Sequence, residues 1–200
     1  MGFDVEKIAA MQVDATARWH HEPIDNPYSG HLSLACEQHR FNYELWHQED
    51  AARDEHASDA TIAQVKRNID RLNQRRNDWI EKLDDYLTDL LEPETASLPV
   101  SVPQNSETPG SIVDRMSIMA LRIYHLEEQL KRTDVDPPHV EKVLRRLAVC
   151  RPQRADLQQC LNQLLDDIAA GRKRHRTYRQ FKMYNDPAMN PYLYAPRHAA

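Results

Sequence analysis

"TIAQVKRNIDRLNQRRNDWIEKLDDYLTDLL", from Thr61 to Leu91, decides how the chain folds. Its apolar residues Ile62, Val65, Ile69, Leu72, Trp79, Leu83, Tyr86 or Leu87, and Leu90 recur at steps of three and four. An α-helix completes a turn in about 3.6 residues, so this spacing gathers them on one face. With Ser58 or Asp59 as cap, a helix is predicted to about Leu91. One charged residue, Arg76, falls within the seam, with Asn73 and Asn77 on its flank.

A helix this long needs partners for its apolar face. The residues before it, about His31 to Glu55, form a second long helix, and the short break between the two implies an antiparallel hairpin. "EPETASLPVSVPQNSE" (92–107) has three prolines and no helical period, and reads as a linker. Thr108 with Pro109 at the first helical position, or Ser111 paired with Asp114, then starts a helix with the seam Ile112, Met116, Met119, Ile123, Leu126 and Leu130. "TDVDPPH" separates it from another that runs to Ala170, with Gly171 as its C-cap. There Val140, Val143 or Leu144, Leu147, Leu157, Leu161, Leu164 and Ile168 keep one seam across Pro152, which implies a kink rather than a break. Phe3 to about Ala17 adds a short amphipathic helix. The expectation is a single all-α domain over 1–200: a bundle of about four long helices in two antiparallel hairpins (31–91 and 108–170), with a basic and aromatic segment at 171–200.

Composition agrees. Only 4 Gly against 12 Pro, with 28% charged residues, suits long surface-charged helices rather than a turn-rich sheet. Cys36, Cys150 and Cys160 are odd in number and in no C-x-x-C spacing, so reduced thiols in a cytoplasmic protein are expected. No apolar run approaches the roughly 18 residues that a membrane-spanning helix needs, and no secretory leader is recognisable. The net charge of −5 conceals an asymmetry. From Gly171 onward, Arg172, Lys173, Arg174, Arg176, Arg179, Lys182 and Arg197 stand against Asp186 alone, a balance of +6 that leaves −11 elsewhere.

Function has to be sought in the polar rows. On the first long helix Leu34, Phe41, Leu45 and Ala52 form the apolar stripe. His39, Asn42, Trp46, Glu49, Asp50 and Arg53 form a second stripe beside it, where a solvated face would lie opposite. Arg76 with Asn73 on the next helix, and Arg115 and Arg122 with Asp114 and His125 on the third, border their own seams. Charges at such margins cost several kcal/mol unless they are paired or bind something charged. Two readings follow: boundary rows closed by salt bridges, or the walls of a polar pocket whose guanidinium groups fork onto phosphate or carboxylate.

Other chemistries find less support. Glu44-x-x-His47 has the spacing of di-iron bundles, but the motif occurs once, and on the wheel both residues point away from the apolar stripe. Asp136-x-x-His139 contains Pro137 and Pro138, and His20-His21 reads as a surface pair. No metal site and no cofactor are expected. Nucleotide-loop and nucleophile-elbow motifs do not occur. "KRHRTYRQFKMY" interleaves basic residues with Tyr178, Phe181 and Tyr184, a pattern that can serve nucleic acid. The overall negative charge disfavours that partner, and aromatics at steps of three suit a packing face that docks the tail on the bundle.

Three stretches, "HRFNYELWHQEDAAR", "VKRNIDRLNQRRNDWIEKLD" and "SETPGSIVDRMSIMALRIYHLEEQ", together with "YRQFKMYNDPAMNP", resemble the bacterial domain of unknown function family 4254. "PGSIVDRMSIM" is also similar to a "GELIDKLTIL"-type stretch of another uncharacterised family, with Gly110, Ile112, Asp114, Arg115, Ser117 and Ile118 in the matching positions. The resemblance implies cytoplasmic helical proteins encoded near glycosyltransferases of cell-envelope polysaccharide synthesis. It carries no established catalytic mechanism. Combined with the polar rows, it leads to an accessory protein or enzyme of envelope glycan assembly that binds a sugar phosphate or nucleotide sugar between helices. Arg76, Arg115 and Arg122 would hold the anion, with Arg53, Asp114, Trp46 and Lys182 as further ligand contacts. His39, Glu49 and Asp50 are the candidate acid/base groups, and Asn42 and Asn73 would orient them. The alternative is a non-catalytic helical scaffold for a partner such as a glycosyltransferase. Whether chemistry occurs, and the oligomeric state, stay open at this stage.

Overall fold

Apolar seams, capped at their ends, set the helices. The computed structural model describes residues 2–95 and 98–194. Arg197 of the basic tail and Ala96-Ser97 of the linker lie outside the described residues. In chain order the helices are α1 (Val5–Trp19), α2 (Gly30–Ala51), α3 (Asp59–Thr95), α4 (Pro109–Leu130) and α5 (Pro137–Ala169), followed by a short turn of helix α6 (Pro191–Tyr194). Among the described residues there is no strand, only an isolated bridge between Gln104 and Arg174. No described helix is long and apolar enough to cross a membrane.

Side-chain oxygens accept the free N–H groups at the helix starts, as capping requires. Asp4 caps α1 through the Lys7 N–H at 2.9 Å. The Thr61 N–H donates to Ser58, which caps α3. Thr108 with Pro109 behind it caps α4 by accepting from the Ser111 N–H, so the Ser111–Asp114 alternative is not used. Asp136 precedes Pro137-Pro138 and accepts from His139. Gly171 ends α5 with a φ of 69°, a left-handed conformation that suits glycine. α5 runs through Pro152 as one helix. α3 extends past Leu91 to Thr95, where the linker was expected to have begun.

α2 packs on α3 and α4 on α5, giving the two expected hairpins, but α1 is more than an appendage. It packs against α2, α4 and α5. Ile8 and Ala15 are fully buried, and so are the polar Gln12 and Thr16. The core joins Ile8, Cys36, Leu83, Leu87, Met116, Leu121, Leu161 and Ile168. Burial pushes the Cys36 thiol up to about 12, which leaves it protonated and inert. Beyond Arg76 the α3 seam turns: Ile80 is buried where Trp79 was expected, and Leu91 replaces Leu90. Trp79 is half-buried, with the Lys82 ammonium 3.9 Å from its ring centroid.

α3 and α4 approach each other closely at Gly110. Its N–H donates to the Asp84 carboxylate at 2.7 Å. A Cβ there would lie 2.6 Å from the Ile80 carbonyl oxygen. Gly→Ala in a helix ordinarily stabilises, by roughly 1 kcal/mol. Here a backbone atom blocks the methyl, so Gly110→Ala is expected to destabilise by about 1–3 kcal/mol, the usual cost of overpacking. The sign of the change in a urea denaturation curve checks this, and a more stable variant would contradict the close approach.

The tail docks on α3, but by polar contacts. Arg179 pairs with Glu81 at 3.1 Å and Asp85 at 2.8 Å, and a His175 ring N–H donates to the Asp84 carbonyl. The expected aromatic packing face is not there: Tyr178, Phe181 and Tyr184 are exposed, Phe181 at 86%.

Candidate functional site

The polar stripe of α2 splits in two, because α2 is covered by α1, α3 and α4 at once. Its inner half joins a buried network. Asp114 on α4 accepts hydrogen bonds from Gln38, from Asn42 at 2.9 Å, and from two nitrogens of Arg76, with Nε at 2.7 Å. Asn42 also donates to the Ser117 hydroxyl at 3.0 Å. Ser117 meets His39 Nδ1 at 2.7 Å, and His39 Nε2 meets Thr16 at 3.0 Å. The Thr16 hydroxyl donates to the Gln12 carbonyl, so its lone pair is left to accept from His39 Nε2–H. The tautomer follows: His39 Nδ1 accepts from the Ser117 hydroxyl.

His39 is fully buried, and its pKa is pushed down to about 3 by desolvation first and the Arg154 charge second. A neutral ring with both nitrogens engaged is a poor general base, and it lines none of the hollows described below. His39 therefore belongs to the scaffold rather than to the acid/base group in which it was placed. The Arg76 guanidinium is held protonated chiefly by its hydrogen bonds to Asp114. This part of the row is closed, as the salt-bridge reading required.

The outer half of the stripe is open. Asn42, Trp46, Glu49, Asp50, Arg53, Asn73 and Arg76 meet around a hollow of about 310 Å³ between α2, α3 and α4. A larger hollow of about 910 Å³ lies between α2, α4 and α5 and shares Trp46 and Asp50 with it. Arg122, His125, Lys142, Arg145 and Arg146 line its wall. Trp46 stacks on His125 with ring centroids 4.7 Å apart and planes within 10°. Arg145 pairs with Glu141, and Glu49 with Arg53 on the exposed rim. Arg122, Lys142 and Arg146 have no carboxylate partner among the described residues, and neither does Asp50 a cation. Arg122 reaches only the Met119 sulfur, at 3.5 Å.

Seven residues named from the sequence thus share one cleft, and Arg122 joins its larger arm. Arg115 and Lys182 do not. Arg115 pairs with Glu107 beside a separate hollow that also touches Arg122, and Lys182 lies against α3 in a hollow formed by the tail. Asp114 is buried beneath Arg76 rather than lining the cleft. Sequence reading missed Lys142, Arg145 and Arg146, although their charge run on α5 was visible. It also missed Gln12 and Thr16, four residues apart on a short helix taken for amphipathic. His20, read as half of a surface pair, and His47, turned outward by the wheel, are half-buried with ring centroids 5.3 Å apart, and both lie against His125.

A family model described as "Protein of unknown function (DUF4254)" matches residues 32–177 of the chain. No curated protein and no solved structure matches. The matched span runs from α2 into the docked tail and takes in both hollows.

Proposed function

The chain belongs to the DUF4254 family, and from that premise we propose that it binds an anionic sugar phosphate or nucleotide sugar in the cleft between α2, α4 and α5. The carrying observation is the wall of Arg122, Lys142 and Arg146, cations without carboxylate partners facing a hollow of about 910 Å³. Small-molecule sites span roughly 300–1,000 Å³, so the volume suits a ligand of nucleotide-sugar size. Unpaired guanidinium groups suit phosphate, since their planar forks match two oxygens at once. Trp46 gives the cleft an apolar wall for a base or sugar face. Asp50 borders both arms without an ion pair and is the carboxylate best placed for a sugar hydroxyl or for proton transfer. Together with the resemblance noted above, this reading makes the chain a cytoplasmic participant in bacterial envelope polysaccharide assembly.

Calorimetric titration with uridine diphosphate glucose, glucose 1-phosphate and uridine separates the ligand's parts. Both phosphate compounds are expected to bind and uridine not. The double variant Arg122→Ala/Arg146→Ala should weaken binding about tenfold or more, equivalent to at least roughly 1.4 kcal/mol. Equal affinity in the double variant, or no binding by the wild type, would set the reading aside. A second reading draws on the tail, where Phe181 is 86% and Tyr192 90% exposed on a polar-docked segment. Such a surface suits a protein partner such as a glycosyltransferase. It would take precedence if no phosphate compound binds.

A further inference from the structure

We propose that His20, His47 and His125 form a binding site for a single zinc-class divalent cation. The three residues come from the C-cap of α1, the last turns of α2 and the second half of α4, so no sequence motif announces them. One ring nitrogen from each lies within 4.8 Å of the others. The Nε2 atom of each is buried and has no hydrogen-bond partner among the described residues. This inference does not depend on the anion-binding reading, because its evidence is the convergence of three ring nitrogens, and of the three histidines His125 alone lines the larger hollow.

For neutral imidazoles, hydrogen bonds select in two of the rings the tautomer a metal requires. The Thr16 carbonyl can only accept, so His20 Nδ1, 2.6 Å away, carries the proton and its Nε2 presents a lone pair. Glu128 accepts from His125 Nδ1 at 2.7 Å, with the same consequence. A carbonyl and a carboxylate behind the imidazoles are the usual outer partners of metal-bound histidine, orienting the ring and raising its basicity. His47 completes a triangle of rings, its centroid 5.3 Å from that of His20 and 5.8 Å from that of His125, and packs edge-on against Tyr43 at 4.6 Å. Packing of rings explains the stacked and edge-on contacts. It does not explain why three buried nitrogens should converge without partners, each at the desolvation cost of an unmade hydrogen bond.

Three neutral imidazoles are a common zinc set, leaving a fourth position open. Zinc–nitrogen bonds of about 2.0–2.1 Å bring tetrahedral ligand atoms to roughly 3.4 Å from one another, so the rings must close by at most about 1.4 Å, within reach of side-chain rotation. His125 also lines the larger hollow, so the site backs onto the cleft.

The test uses the full chain after chelator treatment, titrated calorimetrically with zinc chloride, and the cobalt-substituted protein examined by visible absorption. One equivalent is expected to bind, with cobalt giving the intense bands of a tetrahedral site. His47→Ala and His125→Ala should each weaken binding at least about 100-fold. Glu128→Gln, which leaves all three ligands in place, should weaken it about 10–100-fold, and His21→Ala should have no effect. Circular dichroism confirms the fold of each variant, and Glu128→Gln carries the test if a histidine variant fails to fold. Absence of stoichiometric binding would overturn the site in favour of a water-bridged histidine cluster. So would zinc affinity that is unchanged in His47→Ala or Glu128→Gln.

Discussion

Replacing Asp114 by alanine is expected to destabilise the protein by about 3–5 kcal/mol, the cost of breaking a buried ion pair by removing one partner. The Asp114 side chain is 5% exposed and accepts from Arg76, Gln38 and Asn42, which lie on two other helices. Its loss strands a half-buried guanidinium and the buried Gln38 amide and leaves the Asn42 amide to Ser117, and the methyl left behind can accept from none of them. Urea denaturation of wild type, Asp114→Ala, Arg76→Met and the double variant gives the coupling directly. The double variant should lose less than the sum of the single losses, because removing the cation as well spares it an unpaired burial. A loss below about 1 kcal/mol for Asp114→Ala would mean that the network is not formed as described.

The second large effect is a pH dependence carried by His39. In the unfolded chain its imidazole takes up a proton near the ordinary value of 6.5; in the folded chain it does so only near about 3. Between those values the unfolded state binds more protons, so the stabilisation is complete above about pH 6.5 and is lost as pH falls. At about 1.36 kcal/mol per unit, the loss reaches roughly 3 kcal/mol by pH 4. Asp84 acts in the opposite sense. Burial lifts its carboxyl from 3.8 to about 6, against the hydrogen bonds from Thr108 and Gly110, so the folded state holds the extra proton and gains stability as pH falls through that window. In the wild-type profile these two contributions oppose each other from pH 6 to 4, and the two variants are expected to diverge from it in opposite directions. Asp84→Asn should lose stability steeply with acid, and His39→Gln should gain it. Urea midpoints at pH 7, 6, 5 and 4 read both. A His39→Gln profile parallel to wild type would refute a neutral, proton-resisting histidine.

Much of this architecture was legible in the sequence because helical periodicity is local. Steps of three and four from Val65 to Leu87, and the caps at Ser58 and Thr108, follow from backbone geometry and orphan N–H groups within one turn. The same reasoning put Asn42, Trp46, Glu49, Asp50 and Arg53 on one margin of α2, and five of the cleft's residues come from that row. It failed where a second neighbour intervened. A wheel assigns one apolar side and one wet side, but α1 covers the side of α2 that the wheel gave to water. His47 is therefore half-buried beside His20 and His125 instead of solvated, and His39 is inside the core instead of in a pocket.

The sequence by itself determined an all-α bundle, its hairpins and the polar character of the α2 margin, since each depends on spacing along one helix. The tertiary structure alone decided which polar rows closed on one another and which stayed open. It gave Asp114 to Arg76, left Arg122, Lys142 and Arg146 facing the cleft, and brought three histidines from three helices together. Those outcomes depend on the rotation and depth at which helices pack, which the interlocking of their seams sets and no single helix encodes.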